Sequence, residues 1–126
     1  MKVIMRRIDD DDDDVNEVQV LPDKEASIIA EMFEDLPLRF ILEAVEFARN
    51  PERATEEEAA GRVPRWSGDY VKVTTTPGEV EIKNLYDLRQ AQLSHAEFVE
   101  LVELYTAESQ APFNGPGREW SRPAPQ

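Results

Sequence analysis

The stretch YVKVTTTPGEVEIK, residues 70–83, decides how the rest of the chain is read. Val71 and Val73 alternate with Lys72 and Thr74, and Val80 and Ile82 alternate with Glu81 and Lys83, the period of two that marks a half-buried strand. Between them lies Thr76-Pro77-Gly78-Glu79, where Pro followed by Gly suits the centre of a type II turn. Pairing around that turn puts Val71, Val73, Val80 and Ile82 on one face of an antiparallel hairpin. Such a face has to be covered, so apolar helix stripes are sought on either side of it.

Downstream, Leu93-Ser94-x-x-Glu97-Phe98 combines a capping box, Ser94 with Glu97, and a hydrophobic staple, Leu93 against Phe98. Phe98, Leu101, Val102 and Tyr105 then form an inward stripe, with Glu100 and Glu103 pointing away, which predicts a helix over 95–108. Upstream, Pro22-Asp23 opens a segment in which Asp23 suits an N-cap and Ala26, Ile29, Ala30 and Phe33 share one helical face. Pro37 ends that helix near Asp35-Leu36 and starts another, where Leu38, Ile41, Leu42, Val45 and Ala48 repeat the stripe and Phe40 and Phe47 widen it. Asn50-Pro51 closes the second helix; Thr55 to Glu58, followed by Gly61, reads as a short third helical turn, and residues 62–68 as loop. Near the start, Val3, Ile4, Met5 and Ile8 are candidates for burial, Asp9 to Asp14 form a solvated acidic loop, and Val18 and Val20 alternate with Glu17 and Gln19. Residues 2–21 therefore read as a second hairpin with an acidic tip.

The expected fold is α+β: a small antiparallel sheet of about four strands with helices packed on one face. Strands fall near 2–8, 15–21, 69–75 and 79–84, and helices near 23–35, 37–49 and 95–108. The expected core contains Ile29, Phe33, Leu38, Ile41, Leu42, Val45, Val73, Ile82, Phe98, Leu101 and Val102. Residues 1–109 read as one domain and 110–126 as a loose Pro/Gly-rich tail, in which Trp120 is the one residue suited to dock back.

Size and charge narrow the function. The 126 residues fit a single domain, 40% hydrophobic content supports one modest core, and the formal net charge is −13. That charge attracts cationic partners, favours a monomer in the free state, and disfavours direct binding to nucleic acid or to anionic membranes. The absence of cysteine excludes disulfides, zinc–thiolate sites and thiol nucleophiles. No apolar run approaches the length of a membrane span, and MKVIMRRIDD lacks the apolar stretch of a signal peptide, so cytoplasm is the expected location.

No catalytic constellation emerges. The lone histidine, His95, sits at the first position of the last helix and reads as a solvated helix-start residue. Asp9–Asp14 offers oxygen ligands of the kind Ca²⁺ and Mg²⁺ prefer but lacks the glycine and ligand spacing of an EF-hand loop. Carboxylate pairs for glycosidase chemistry depend on tertiary separation and stay open. Gly115-Pro116-Gly117 does not cradle phosphate, since its proline lacks a donor N–H. We therefore expect a binding protein, with no catalytic residue, metal or cofactor. Its candidate contacts are the cluster Glu56, Glu57 and Glu58, the outward Glu100 and Glu103, the Asp9–Asp14 loop, and Trp66, Tyr70 and Tyr86 as anchors by residue type.

The segment Val80 to Asp87, a strand ending in I-x-N-L-Y-D, followed by Leu93-Ser94-x-x-Glu97-Phe98 opening an amphipathic helix, resembles small bacterial immunity proteins. These are antidotes encoded beside polymorphic or contact-dependent growth inhibition toxins. The resemblance covers about residues 68–107. It implies a cytoplasmic antidote that binds one cognate toxin domain and blocks its active site or substrate surface. Many such toxins are nucleases and hence basic, which agrees with the charge of −13. The family offers no catalytic or contact residues to carry over. A second reading is an acidic nucleic-acid mimic or phage-encoded inhibitor of a DNA- or RNA-binding enzyme.

Overall fold

The hairpin at 70–83 forms as its alternation requires, with Val73 opposite Ile82 and Thr75 opposite Val80. A computed structural model describes residues 1–9 and 18–122. In chain order its elements are β1 (Lys2–Arg7), β2 (Val18–Pro22), α1 (Ser27–Asp35), α2 (Leu38–Arg49), α3 (Pro51–Ala59), β3 (Arg65–Ser67), β4 (Val71–Thr75), β5 (Val80–Asn84), β6 (Gln90–Leu93), α4 (His95–Glu108) and β7 (Arg118–Ser121). The fold is α+β, and it contains a four-stranded antiparallel sheet, β3-β4-β5-β6.

The four strands of that sheet are not the four expected from the sequence. β1 and β2 pair as a hairpin but belong to a second, three-stranded sheet ordered β2-β1-β7. Helices α1 and α4 contact both sheets, while α2 lies on β3 and β4 and packs against α4. On the four-stranded sheet one face is buried, through Val71, Val73, Val80, Ile82, Ala91 and Leu93.

Two strands of the four-stranded sheet have no sequence signal. β3 lies in the segment read as loop, and its Trp66, opposite Val73, faces the helices. In β6 only Ala91 and Leu93 face inward between glutamines, and Leu93 also serves as the staple against Phe98. The capping box holds, with Ser94 Oγ accepting from Glu97 N at 3.0 Å and Glu97 Oε1 accepting from Ser94 N at 2.8 Å. Asp23 accepts from Ala26 N at 2.9 Å, capping a turn that leads into α1.

The third helix is longer than the turn predicted at 55–58. It starts at Pro51, whose missing N–H costs nothing there, and Thr55 lies within it. It ends in a Schellman motif: Arg62 N donates to Glu57 O and Gly61 N to Glu58 O, with Gly61 at φ 79°.

The phase of α2 corrects the core list. Ile41, Ala44, Val45 and Ala48 are buried, whereas Leu38 and Leu42 are 47% and 43% exposed. At 100° per residue the apolar stripe of this helix is too broad to bury whole. Phe40 and Phe47 occupy the opposite flank, and Phe47 packs edge-on against Trp66 with ring centroids 5.6 Å apart. The helix turns toward that flank, the two alanines allow close approach, and the leucines are left outside. The other expected core residues, Ile29, Phe33, Ile41, Val45, Val73, Ile82, Phe98, Leu101 and Val102, are all buried.

The tail is a second correction. Residues 118–121 form β7 against β1, with Val3 opposite Trp120, and Trp120 is 2% exposed. The buried Glu108 accepts from Arg7 N at 2.9 Å and pairs with Arg118, and Arg122 holds Glu97 through two bonds of 2.7 and 2.9 Å. One buried indole, a strand ladder and these ion pairs replace the periodic apolar face whose absence suggested a loose segment. Residues 123–126 lie outside the described residues.

Candidate functional site

β5 ends at Asn84, which is buried and whose Oδ1 accepts from the N–H of Tyr86 at 2.9 Å and of Asp87 at 3.1 Å. This bends the chain into a loop whose ends are closed by Asn84 N donating to Arg89 O at 2.8 Å. Leu88 sits at φ 63°, a left-handed conformation that a bulky residue adopts only where its surroundings enforce it. Arg89 does much of that enforcing: it bonds Asp87 at 2.8 Å, Ser27 Oγ at 2.8 Å and Glu31 at 2.6 Å, tying the loop to α1. The Arg89 backbone N–H and guanidinium hold the Asp87 carboxyl below its usual range, and Glu31 with Asp87 raises the guanidinium pKa further. The loop so fixed presents Leu85, Tyr86 and Leu88 to solvent, 41%, 81% and 64% exposed.

Beside it lies the β3–β4 turn. Asp35, at the end of α1, accepts from three successive backbone N–H groups, Asp69 at 3.0 Å, Tyr70 at 2.9 Å and Val71 at 2.8 Å. The turn is a backbone anion nest filled by the protein's own carboxylate. Gly68 is required there, because a Cβ would stand 2.7 Å from the Asp35 carbonyl oxygen. The two loops are joined: Leu85 N donates to Tyr70 O at 2.8 Å, and the Tyr86 hydroxyl reaches Asp69 O at 3.5 Å. Burial, with the negative fields of Glu34, Asp35, Glu31 and Asp69, raises the Tyr70 hydroxyl above the usual phenol range, so it stays neutral.

The structure thus brings together two of the sequence-derived anchors, Tyr70 and Tyr86. The carboxylates around them, Glu31, Glu34, Asp35, Asp69 and Asp87, are not the ones expected. No family model, curated protein or solved structure matches this chain. The surface is therefore read from its own geometry: an apolar, aromatic protrusion on a preorganised loop, with the exposed carboxylates of Glu34 and Asp69 near Tyr70.

The remaining candidates lie elsewhere. Trp66 is half-buried, donates to Glu43 at 2.8 Å and packs on Phe47, so it joins β3 to α2. Glu57 is bound by Arg62 at 2.6 Å, and that hydrogen bond holds its carboxyl below the usual range; Glu56 and Glu58 are exposed on α3. Glu100 is exposed on α4, while Glu103 pairs with Arg49 at 2.9 Å and braces α4 to α2. His95 is not simply solvated: its Nε2 lies 2.8 Å from Thr76 O and ties the start of α4 to the β4–β5 turn. Of the acidic run only Asp9 falls among the described residues. Among the described residues no group of three or more His, Asp or Glu is placed to hold a metal ion, and no helix is long and apolar enough to cross a membrane.

The sequence carries a clue to this site. In N-L-Y-D-L-R, Asn and Asp build the turn and leave Leu85, Tyr86 and Leu88 with no strand or helix period to bury them. Aspartate 35 could not be tied to residues 69–71 from spacing, because the contact is tertiary.

Proposed function

We propose that this protein is an immunity protein that binds and neutralises a cognate toxin domain in the cytoplasm, as a binding protein and not as a catalyst. The Tyr86 loop is its docking element. The observation that carries this reading is the loop's combination of rigidity and exposure: Leu85, Tyr86 and Leu88 stand out in solvent while Asn84, Arg89 and the joined Tyr70 turn hold their backbone. An exposed aromatic whose ordering cost is met before binding makes an efficient anchor. The exposed carboxylates of Glu34 and Asp69 near it suit a cationic target such as a nuclease's substrate surface, and the net charge of −13 speeds encounter with one. The loop is also the part of the chain that carries the resemblance to immunity proteins.

The test is co-expression with a toxin domain encoded by a neighbouring gene, followed by biosensor kinetics across a salt series. The wild-type protein should restore growth, and its association rate should fall as salt rises. Tyr86→Ala should leave the melting curve unchanged and weaken affinity by roughly 30-fold or more, the scale of an interface hot spot. A nucleic-acid mimic would depend on its carboxylates alone, so unchanged binding by Tyr86→Ala combined with Leu88→Ala would sink the present reading. Salt-indifferent association would remove its electrostatic part.

A further inference from the structure

Leu42, left outside by the phase of α2, lines an open groove. It lies between α2 and α4, encloses about 730 Å³, and has Leu42, Val45 and Val102 at its base. Leu38 lies one turn before Leu42 on the same flank of the helix, and the pair is nearly half exposed.

The groove's rim differs from the rest of the molecule. The chain as a whole carries −13, so two copies repel at most orientations. Here two cations flank two anions along α2, in the order Arg39, Glu43, Glu46 and Arg49, with Glu46 3.3 Å from Arg49 on the exposed surface. Among the described residues, Arg39 contacts the Phe40 ring but has no carboxylate partner. We infer that the groove is a homodimer interface in which α2 of one copy lies antiparallel on α2 of the other.

The spacing carries the argument. A two-fold axis passing between Leu42 and Glu43 brings Arg39 of one copy level with Glu46 of the second, about 5 Å along the helix from the axis on either side. The same operation repeats the pair with the copies exchanged. It sets Leu42 against Leu42 at the centre, over the Val45 and Val102 floor. Glu43, also level with the axis, is turned aside to Trp66, so the surface is complementary in charge at Arg39 and Glu46 and apolar where the Leu42 side chains meet. The residues of the Tyr86 loop take no part in it, so the dimer is independent of the toxin-binding reading.

The experiment is sedimentation equilibrium over a concentration series reaching the millimolar range. The wild-type mass should double with concentration. Leu42→Glu should weaken the dimer at least ~100-fold, since the change enters twice across the axis, and should melt like wild type because the site is open. Arg39→Glu should weaken it too, and adding Glu46→Arg to that variant should restore it, because the swapped pair faces the same way. A wild-type protein monomeric throughout would overturn the proposal. So would a dimer indifferent to Leu42→Glu, or a charge swap that fails to restore association in a folded variant.

Discussion

Replacing Asp35 by alanine should cost this protein a large part of its stability, although Asp35 contributes nothing to the apolar core. The carboxylate satisfies the N–H groups of Asp69, Tyr70 and Val71 at 3.0, 2.9 and 2.8 Å. A hydrogen bond to a charged group is worth about 1.5–3 kcal/mol, and three do not add. Asp69 is exposed and its N–H recovers water, whereas the Tyr70 and Val71 bonds are partly buried. Those two set the scale, so Asp35→Ala should destabilise by ~2–4 kcal/mol. For a chain of this length that is a fall in melting temperature of about 8–15 °C. Urea unfolding followed by circular dichroism measures it. Gly68→Ala should act on the same contact from the other side, since its Cβ would press on Asp35. In a double-mutant cycle the combined loss should be clearly smaller than the sum. Because Leu85 N hangs on Tyr70 O, hydrogen exchange at Leu85 should also accelerate in Asp35→Ala. A change within ~0.5 kcal/mol of wild type, or strict additivity with Gly68→Ala, would refute the account of the nest.

Other expectations follow from the core and its ion pairs. Phe98 is fully buried, so Phe98→Ala should cost ~3–5 kcal/mol by urea unfolding, and a smaller loss would mean the site collapses around the gap. Truncation after Gln110 removes β7 and the buried Trp120 and should lower the melting temperature markedly; a truncated chain as stable as the whole would contradict the packing of that strand. Glu97 has its carboxyl lowered chiefly by the side-chain bond to Arg122. A lowered folded-state value contributes stability that is complete above the ordinary glutamate range and is lost as pH falls through the lowered value. Arg122→Gln should therefore flatten the acid limb of the stability profile, and an unchanged limb would assign it to other carboxylates.

What was legible in the sequence was whatever local periodicity or capping dictates. The hairpin at 70–83, the Ser94–Glu97 box and the inward stripe of Phe98, Leu101, Val102 and Tyr105 all stand in the structure. What was not legible depends on competition between neighbours. Leu38 and Leu42 satisfy the apolar stripe as well as Ile41 and Val45 do, and only the pull of Phe47 toward Trp66 decides which side is buried. β3, β6 and β7 are three or four residues long, too short to show alternation, and pair because a longer strand is already beside them. The same limit applies to the binding surface. Residue type alone points to Tyr70 and Tyr86; their proximity comes from a hydrogen bond between two loops, and α1 brings Glu31, Glu34 and Asp35 near Tyr70.

The partition into two sheets sets an order of events during synthesis. β4, β5 and β6 follow one another closely, so the four-stranded sheet can assemble from local encounters as soon as they leave the ribosome. The other sheet has no such freedom, because Lys2 waits for Ser121. Through most of translation β1 has one of its two edges bare and Val3 lacks the indole that covers it. β1 is thus completed only by β7, far along the chain, and a ribosome stalled short of residue 118 would hold a chain with an open edge. The long-range closure of β7, and not the hairpins, should then set how long the nascent protein is exposed to misassociation.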